Sequence, residues 1–249
     1  MRPLNSETVQ VAGATSPRPL AIVGLAAAAA LLLALVPWLA PLNYPFRLLT
    51  TIVHELSHGL AALLTGGAFL RFLVFPDGEG LAYTAGGWRL LVIPAGYLGS
   101  ALFGGGLILL GRSARWGRTA LGVAGAAVLL LSLRYGAPSI ASAQWASGLI
   151  TVLGGLLIGA AFLLATWRAK PAWTLFLVNL VAIAAGLTAF SDLFALIGIS
   201  SRLLGAPAND AASMAELTFV PAIVWAVLWA AIASVLLGWA IWRAWLRPD

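Results

Sequence analysis

The sequence predicts an all-α polytopic membrane protein with about six to seven transmembrane helices and one small β-hairpin. Three observations lead there. Of 249 residues, 61% are hydrophobic and only 9% are charged, where a typical soluble domain carries roughly 25% charged residues. Mean hydropathy is +0.99. Apolar runs recur at lengths of roughly 20 residues, enough to cross a bilayer as a helix. Fourteen basic and eight acidic side chains cannot cover a water-facing surface, and disorder would need the opposite balance of charge and apolarity.

The elements follow in order. Residues 1–19 are polar, contain proline and read as a disordered N-terminal tail. Residues 20–249 read as a single transmembrane domain. Its first apolar run, 20–39, is long and lacks a clean small-x-small cleavage site, so it reads as an uncleaved span. Pro37 and Pro41 end it. The second span, 46–65, stops at Gly66 and Gly67. Residues 69–84 alternate around Pro76-Asp77-Gly78-Glu79-Gly80 and predict a β-hairpin. Further spans are expected at 90–110, 119–133, 145–167, 173–199 and 219–242. Residues 135–144 and 200–217 read as connections, and no fixed-period repeat is present.

The 14 basic residues are dispersed, which excludes the dense basic stripe of a nucleic-acid binder. With seven spans, eight basic residues and one acid fall on one side, against six basic and five acidic on the other. The positive-inside rule then puts the N-terminus outside and the hairpin with it. The chain contains no Cys, which removes a disulfide framework, a thiolate metal site and a cysteine nucleophile.

Three ionisable side chains sit in the middle of the second span: His54, Glu55 and His58. Charge in hydrocarbon costs about 3 kcal/mol or more per residue, so each needs a reason. The two histidines are the only ones in the chain. Their i, i+4 spacing puts both imidazoles on one helix face, where they can bind one Zn2+. Glu55 beside them is placed to act as general base on an activated water. This is the H-E-x-x-H pattern of zinc metalloproteases. A catalytic zinc takes a third protein ligand and keeps one position for water. With no His or Cys left, that ligand must be an oxygen or an amide. Asp192, inside the apolar run 173–199, is the preferred choice, and Asp210 in the polar loop is the runner-up. Asn179 reads as an interhelical hydrogen bonder. Ser57 reads as a hydrogen-bonding residue without a partner to activate it as a nucleophile.

The segment Thr51-Ile52-Val53-His54-Glu55-Leu56-Ser57-His58-Gly59-Leu60, followed by Leu64-Thr65-Gly66-Gly67, resembles the active-site helix of the site-2 protease family. These are intramembrane zinc metalloproteases, and the likeness is to the small bacterial branch without PDZ or CBS domains. Pro94-Ala95-Gly96-Tyr97-Leu98-Gly99-Ser100 is similar to that branch's Gly-Tyr-Leu-Gly segment. The resemblance implies zinc on His54 and His58, Glu55 as base and an Asp of a later span as third ligand. It also implies a membrane-associated sheet after the metal helix, on the cytoplasmic side, opposite to the charge count. The Leu-Asp-Gly context of the family's third ligand is absent around Asp192.

The expected function is therefore that of an intramembrane zinc metalloendopeptidase, with a transmembrane protein as substrate and the bilayer of a bacterial cell membrane as its setting. The alternative is a non-catalytic zinc-binding membrane scaffold or a small transporter. A transporter would be expected to show inverted repeats, and none is evident.

Overall fold

The computed structural model describes residues 19–200 and 209–247. The expected tail, 1–19, lies almost wholly outside them, as do residues 201–208 of the 200–217 connection.

The chain opens with α1 (Pro19–Leu35) and α2 (Ala40–Leu64), joined by one 3-10 turn at Pro37–Leu39. The two helices meet at 97°. The break has a local cause. Val36, preceding a proline, is held extended at φ −93° and ψ 110°, and Pro37 offers no N–H to continue the ladder. At its other end α2 stops as the sequence indicates. Gly66 takes φ +82°, and Gly67 N–H closes back onto the Ala62 carbonyl at 2.8 Å.

Strands β1 (Ala68–Val74) and β2 (Gly80–Ala85) then form the expected hairpin, paired antiparallel from Ala68–Ala85 to Val74–Gly80. Its turn needs Gly78, at φ +92°. The turn is tied to α2: Arg47 Nη2 donates to the Asp77 carbonyl at 3.0 Å, and Thr51 Oγ1 to the Gly78 carbonyl at 2.7 Å. The outer edge of β1 is capped by side chains. Ser139 Oγ donates to the Phe72 carbonyl, and Val74 N–H donates to Thr151 Oγ1 at 2.7 Å. β2 lies against α2 at Gly80, where an added Cβ would meet Glu55 Oε1 at 2.5 Å and Thr51 Cγ2 at 2.7 Å.

After the single turn α3 (Arg89–Val92) come α4 (Ala95–Leu110) and α5 (Ala114–Leu131). The connection expected at 135–144 is instead mostly helix. α5 runs through a π-turn at Ser132–Gly136 into α6 (Ala137–Ile140). The longer helices α7 (Trp145–Arg168) and α8 (Pro171–Ser200) follow. Where a loop was expected up to residue 217, residues Asp210–Thr218 form a short helix, α9. α10 (Ala222–Ile241) ends in a π-turn at Trp242–Leu246.

Among the described residues, four helical stretches can by length and composition cross a membrane: Ala114–Ile140, Trp145–Arg168, Pro171–Gly198 and Ala222–Leu246. The bent pair α1–α2 makes a fifth if counted as one span. α4, at 16 residues, is shorter than the roughly 20 that a full crossing takes. The expected six to seven spans treat both arms of the bent pair and α4 as separate crossings. Large apolar side chains face outward, as at Leu157 (71% exposed) and Val235 (70%), which suits lipid and not water.

α4 lies at the centre, packed on α2, α8 and α10. Asn179 on α8 is fully buried and donates from Nδ2 to the Gly111 carbonyl at the end of α4 and to Leu175, as a packing amide would. Ser57 Oγ donates to the Val53 carbonyl of its own helix at 2.6 Å.

Thr151 is completely buried; it accepts from Val74 N–H and donates to the Ser147 carbonyl. Thr151→Val keeps the shape and orphans the Val74 N–H, at a cost of about 1–3 kcal/mol. A lowered midpoint of thermal unfolding in detergent is expected, and an unchanged midpoint would show that the edge of β1 is not held there.

Candidate metal centre

The i, i+4 spacing does what the periodicity predicts. His54 and His58 lie on one face of α2, with their Nε2 atoms 3.1 Å apart. Asp210 at the start of α9 completes a triangle: its Oδ2 is 3.2 Å from His54 Nε2 and 3.3 Å from His58 Nε2. Among the described residues, these three form the one group of His, Cys, Asp and Glu side chains whose donor atoms converge closely enough to hold a metal ion.

The distances provide a test of fit. A tetrahedral ion with bonds of about 2.0–2.1 Å has ligand atoms about 3.3 Å apart along each edge. The three separations found are those of one tetrahedral face. His58 Nδ1 lies 2.8 Å from the Val92 carbonyl, an acceptor only. Neutral His58 therefore carries its proton on Nδ1, an assignment made from the hydrogen bond, and Nε2 presents a lone pair. Three lone-pair atoms directed at one point repel one another unless something positive sits among them. The Val92 contact is also the outer support that metal-binding imidazoles commonly have.

Asp210 is held by the helix it begins. Asn209 is the N-cap, its Oδ1 accepting from Ala212 N–H at 2.9 Å. Ala211 and Met214 are buried, and α9 packs on α10. Burial by itself would raise the Asp210 carboxyl; positive charge at the imidazoles, or at an ion between them, opposes this and holds it well below the usual carboxylate range.

This reverses the order of preference drawn from the sequence. Asp210, the runner-up, joins the histidines; Asp192 does not. Asp192 lies on an exposed part of α8, within electrostatic reach of His54 and Arg47 but outside the converging group. The sequence argument favoured the acid inside a long apolar run. It could not see that residues 210–218 fold back as a helix. The one available signal was the Asn209-Asp210 pair, a helix-start pattern.

Glu55, 100° further around α2 by helical geometry, is buried and faces the hairpin. It accepts a backbone hydrogen bond from Ala82 of β2 and lies within electrostatic range of His54, His58 and Asp210. Three features not singled out as site residues from the sequence shape the centre. Gly96 of α4 stands so close that a Cβ there would overlap the Nε2 atoms of both histidines. Gly80 leaves room for the Glu55 carboxylate. Tyr97 sets its ring edge-on to His54 at 4.7 Å and stacks on Trp229 of α10 at 5.8 Å. Trp225, a neighbour of Trp229, donates from Nε1 to Thr218 Oγ1 at 3.0 Å. An aromatic series thus links the imidazoles to both ends of the α9–α10 connection.

A family model described as Peptidase M50B-like matches residues 25–240. No curated protein and no solved structure matches the chain. The chain belongs to the Peptidase M50B-like family, in agreement with the resemblance carried by the residues from Thr51 to Gly67.

Gly96→Ala puts a methyl group where the two Nε2 atoms meet. Metal retained by the purified protein, measured by elemental mass spectrometry, is expected to fall at least tenfold while the helical circular dichroism is kept. Full metal content in this variant would mean that α4 does not confine the centre.

Proposed function

We propose that this member of the Peptidase M50B-like family is an intramembrane zinc metalloprotease that hydrolyses peptide bonds of membrane-spanning substrates. The observation that carries the reading is the triangle of His54, His58 and Asp210 donor atoms with a fourth ionisable group, Glu55, held beside it and outside the ligand set. A purely structural metal site closes its fourth position with another ligand. Here the neighbouring acid is directed elsewhere, toward the hairpin.

In this reading His54, His58 and Asp210 hold the ion, and two imidazoles with one carboxylate are a donor set that suits zinc. When bound, zinc supplies Lewis acidity and lowers the pKa of a water from 15.7 to about 7. The chain's own residues do the rest. Glu55 takes the proton of the attacking water and later delivers it to the leaving amine. Its burial and the Ala82 N–H fix the carboxylate in place, so little reorganisation accompanies the transfer. His58 is kept in one tautomer by Val92.

The hairpin suits the reception of substrate. A transmembrane helix has its backbone hydrogen bonds satisfied internally, so a stretch must be extended before it can be cut. The outer edge of β1 is spent on Ser139 and Thr151. The outer edge of β2 passes Glu55, which takes the Ala82 N–H; an extended segment that displaced this contact would bring its carbonyls past the general base.

The deciding experiment uses purified protein loaded with zinc and two probes: fluorescently labelled casein in detergent, and a reporter with one transmembrane helix in vesicles. Glu55→Gln is expected to lower cleavage at least a thousandfold with zinc content unchanged. Equal cleavage by wild type and variant would remove Glu55 as the base, and no cleavage by wild type on either probe would leave a non-catalytic zinc scaffold as the better description. Asp210→Ala is expected to lose zinc and Asp192→Ala to keep it; the reverse result would restore Asp192 as the ligand.

A further inference from the structure

On the side of α2 away from the hairpin, a cavity of about 480 Å³ opens between α2, α4 and α5. It plays no part in the metal chemistry above. Its walls are hydrocarbon, from Leu56 and Leu60 of α2, Leu102 and Phe103 of α4, and Val123 and Leu131 of α5. The two hydroxyls on its lining are already spent on their own helices. Ser57 donates to the Val53 carbonyl and Thr119 to the Arg115 carbonyl. Apart from the Trp116 indole at its end, no side-chain polar group on the lining is left to recognise a polar ligand inside.

Size narrows the occupant. Along α4 the cavity runs from Gly99 to Leu110, about 16 Å at 1.5 Å per residue. A groove of that length, walled by hydrocarbon, suits a single alkyl chain lying along α4. Charge narrows it further. The cavity reaches the α4–α5 turn, where Trp116 lines its end and exposed Arg115 sits beside the Trp116 ring. Arg112, Arg118, Arg168 and Lys170 belong to the same end of the bundle; Arg118 Nη2 donates to the Ala169 carbonyl between the last two. No acidic residue occurs between Glu79 and Asp192. A Trp at a helix end beside an exposed arginine, at an end of the bundle rich in basic residues, is the arrangement that holds an anionic headgroup at the membrane interface.

We infer that the groove between α4 and α5 binds one acyl chain of an anionic phospholipid from the surrounding bilayer, with its phosphate at Arg115 and the end of its chain against Ser57. The inference does not depend on proteolysis. It does place a lipid on the helix that carries His54 and His58, one residue from His58.

The test uses the full chain in detergent and needs no activity. Native mass spectrometry with added phosphatidylglycerol and phosphatidylcholine of identical chains should show retention of the anionic lipid. Arg115→Gln should lower that preference about fivefold, the factor expected for one basic residue near the surface. Ala124→Phe fills the groove and should abolish retention of either lipid, with zinc content as the check on folding. Should that variant fail to fold, phosphatidylglycerol with a diazirine at its chain end labels the wild-type protein directly. Label should concentrate on peptides containing Leu102 and Val123. Equal retention of the two lipids, or label spread evenly over the outer faces of α7 and α10, would overturn the proposal, as would a bound peptide in the groove.

Discussion

Two imidazoles and a carboxylate directed at one point inside an apolar bundle set the conditions that the rest of the structure meets. Three donor atoms separated by 3.1–3.3 Å would repel one another in a low-dielectric surrounding, where unscreened charge is costly. Each is therefore over-determined. His58 is clamped by the Val92 carbonyl, His54 by the Tyr97 ring, and Asp210 by an N-capped helix whose other face is buried. A site held from three directions keeps its geometry whatever sits within it, and that is what preorganised metal chemistry requires.

The same constraint explains the glycines that matter. Donor atoms can be brought together only if the backbone of a neighbouring element comes close. Gly96 lets α4 approach both histidines, Gly80 lets β2 lie on Glu55, and Gly59 lets the Phe69 ring press on α2. At each, a single methyl would displace a functional or packing side chain. These positions are invisible to a search for chemistry-bearing residues, because their contribution is an absent side chain.

Much of the fold was legible in the sequence because membrane helices advertise themselves by composition. The hairpin and its Gly78 turn, the stop at Gly66-Gly67 and the packing of Asn179 all follow from local rules. Family membership was legible too, from His54 to Gly67. What was not legible depends on long-range geometry. Val36 before Pro37 signals a break, but not that the two arms meet at 97°. Residues 135–140 contain a proline and a glycine, yet they stay helical because a π-turn absorbs them. Asp192 looked the better ligand because an acid in an apolar run seems to need a metal. Asp192 instead lies within electrostatic reach of His54 and Arg47 without its carboxylate joining the converging atoms. Asp210, in a segment too polar and too short to read as part of the bundle, is delivered by a nine-residue helix whose docking on α10 no local pattern encodes.

One helix carries three separate tasks, and its geometry keeps them apart. Successive residues of α2 differ by about 100° in direction. His54 and His58 share one face with Asp210 and α4; Glu55 turns toward β2; Ser57 turns toward Gly99 and the apolar groove. A change of occupant on the groove face reaches the metal face only by moving α2 as a body, since Ser57 is bonded within its own helix and sends no polar contact onward. α2 is anchored against such movement at both ends. Arg47 and Thr51 fasten it to the hairpin turn; Thr65 accepts from Trp88 N–H on the far side of the hairpin. The hairpin is thus a splint for the metal helix as well as a neighbour of Glu55. Glu55 and the two histidines stay in register because β2 and α2 are one fastened unit.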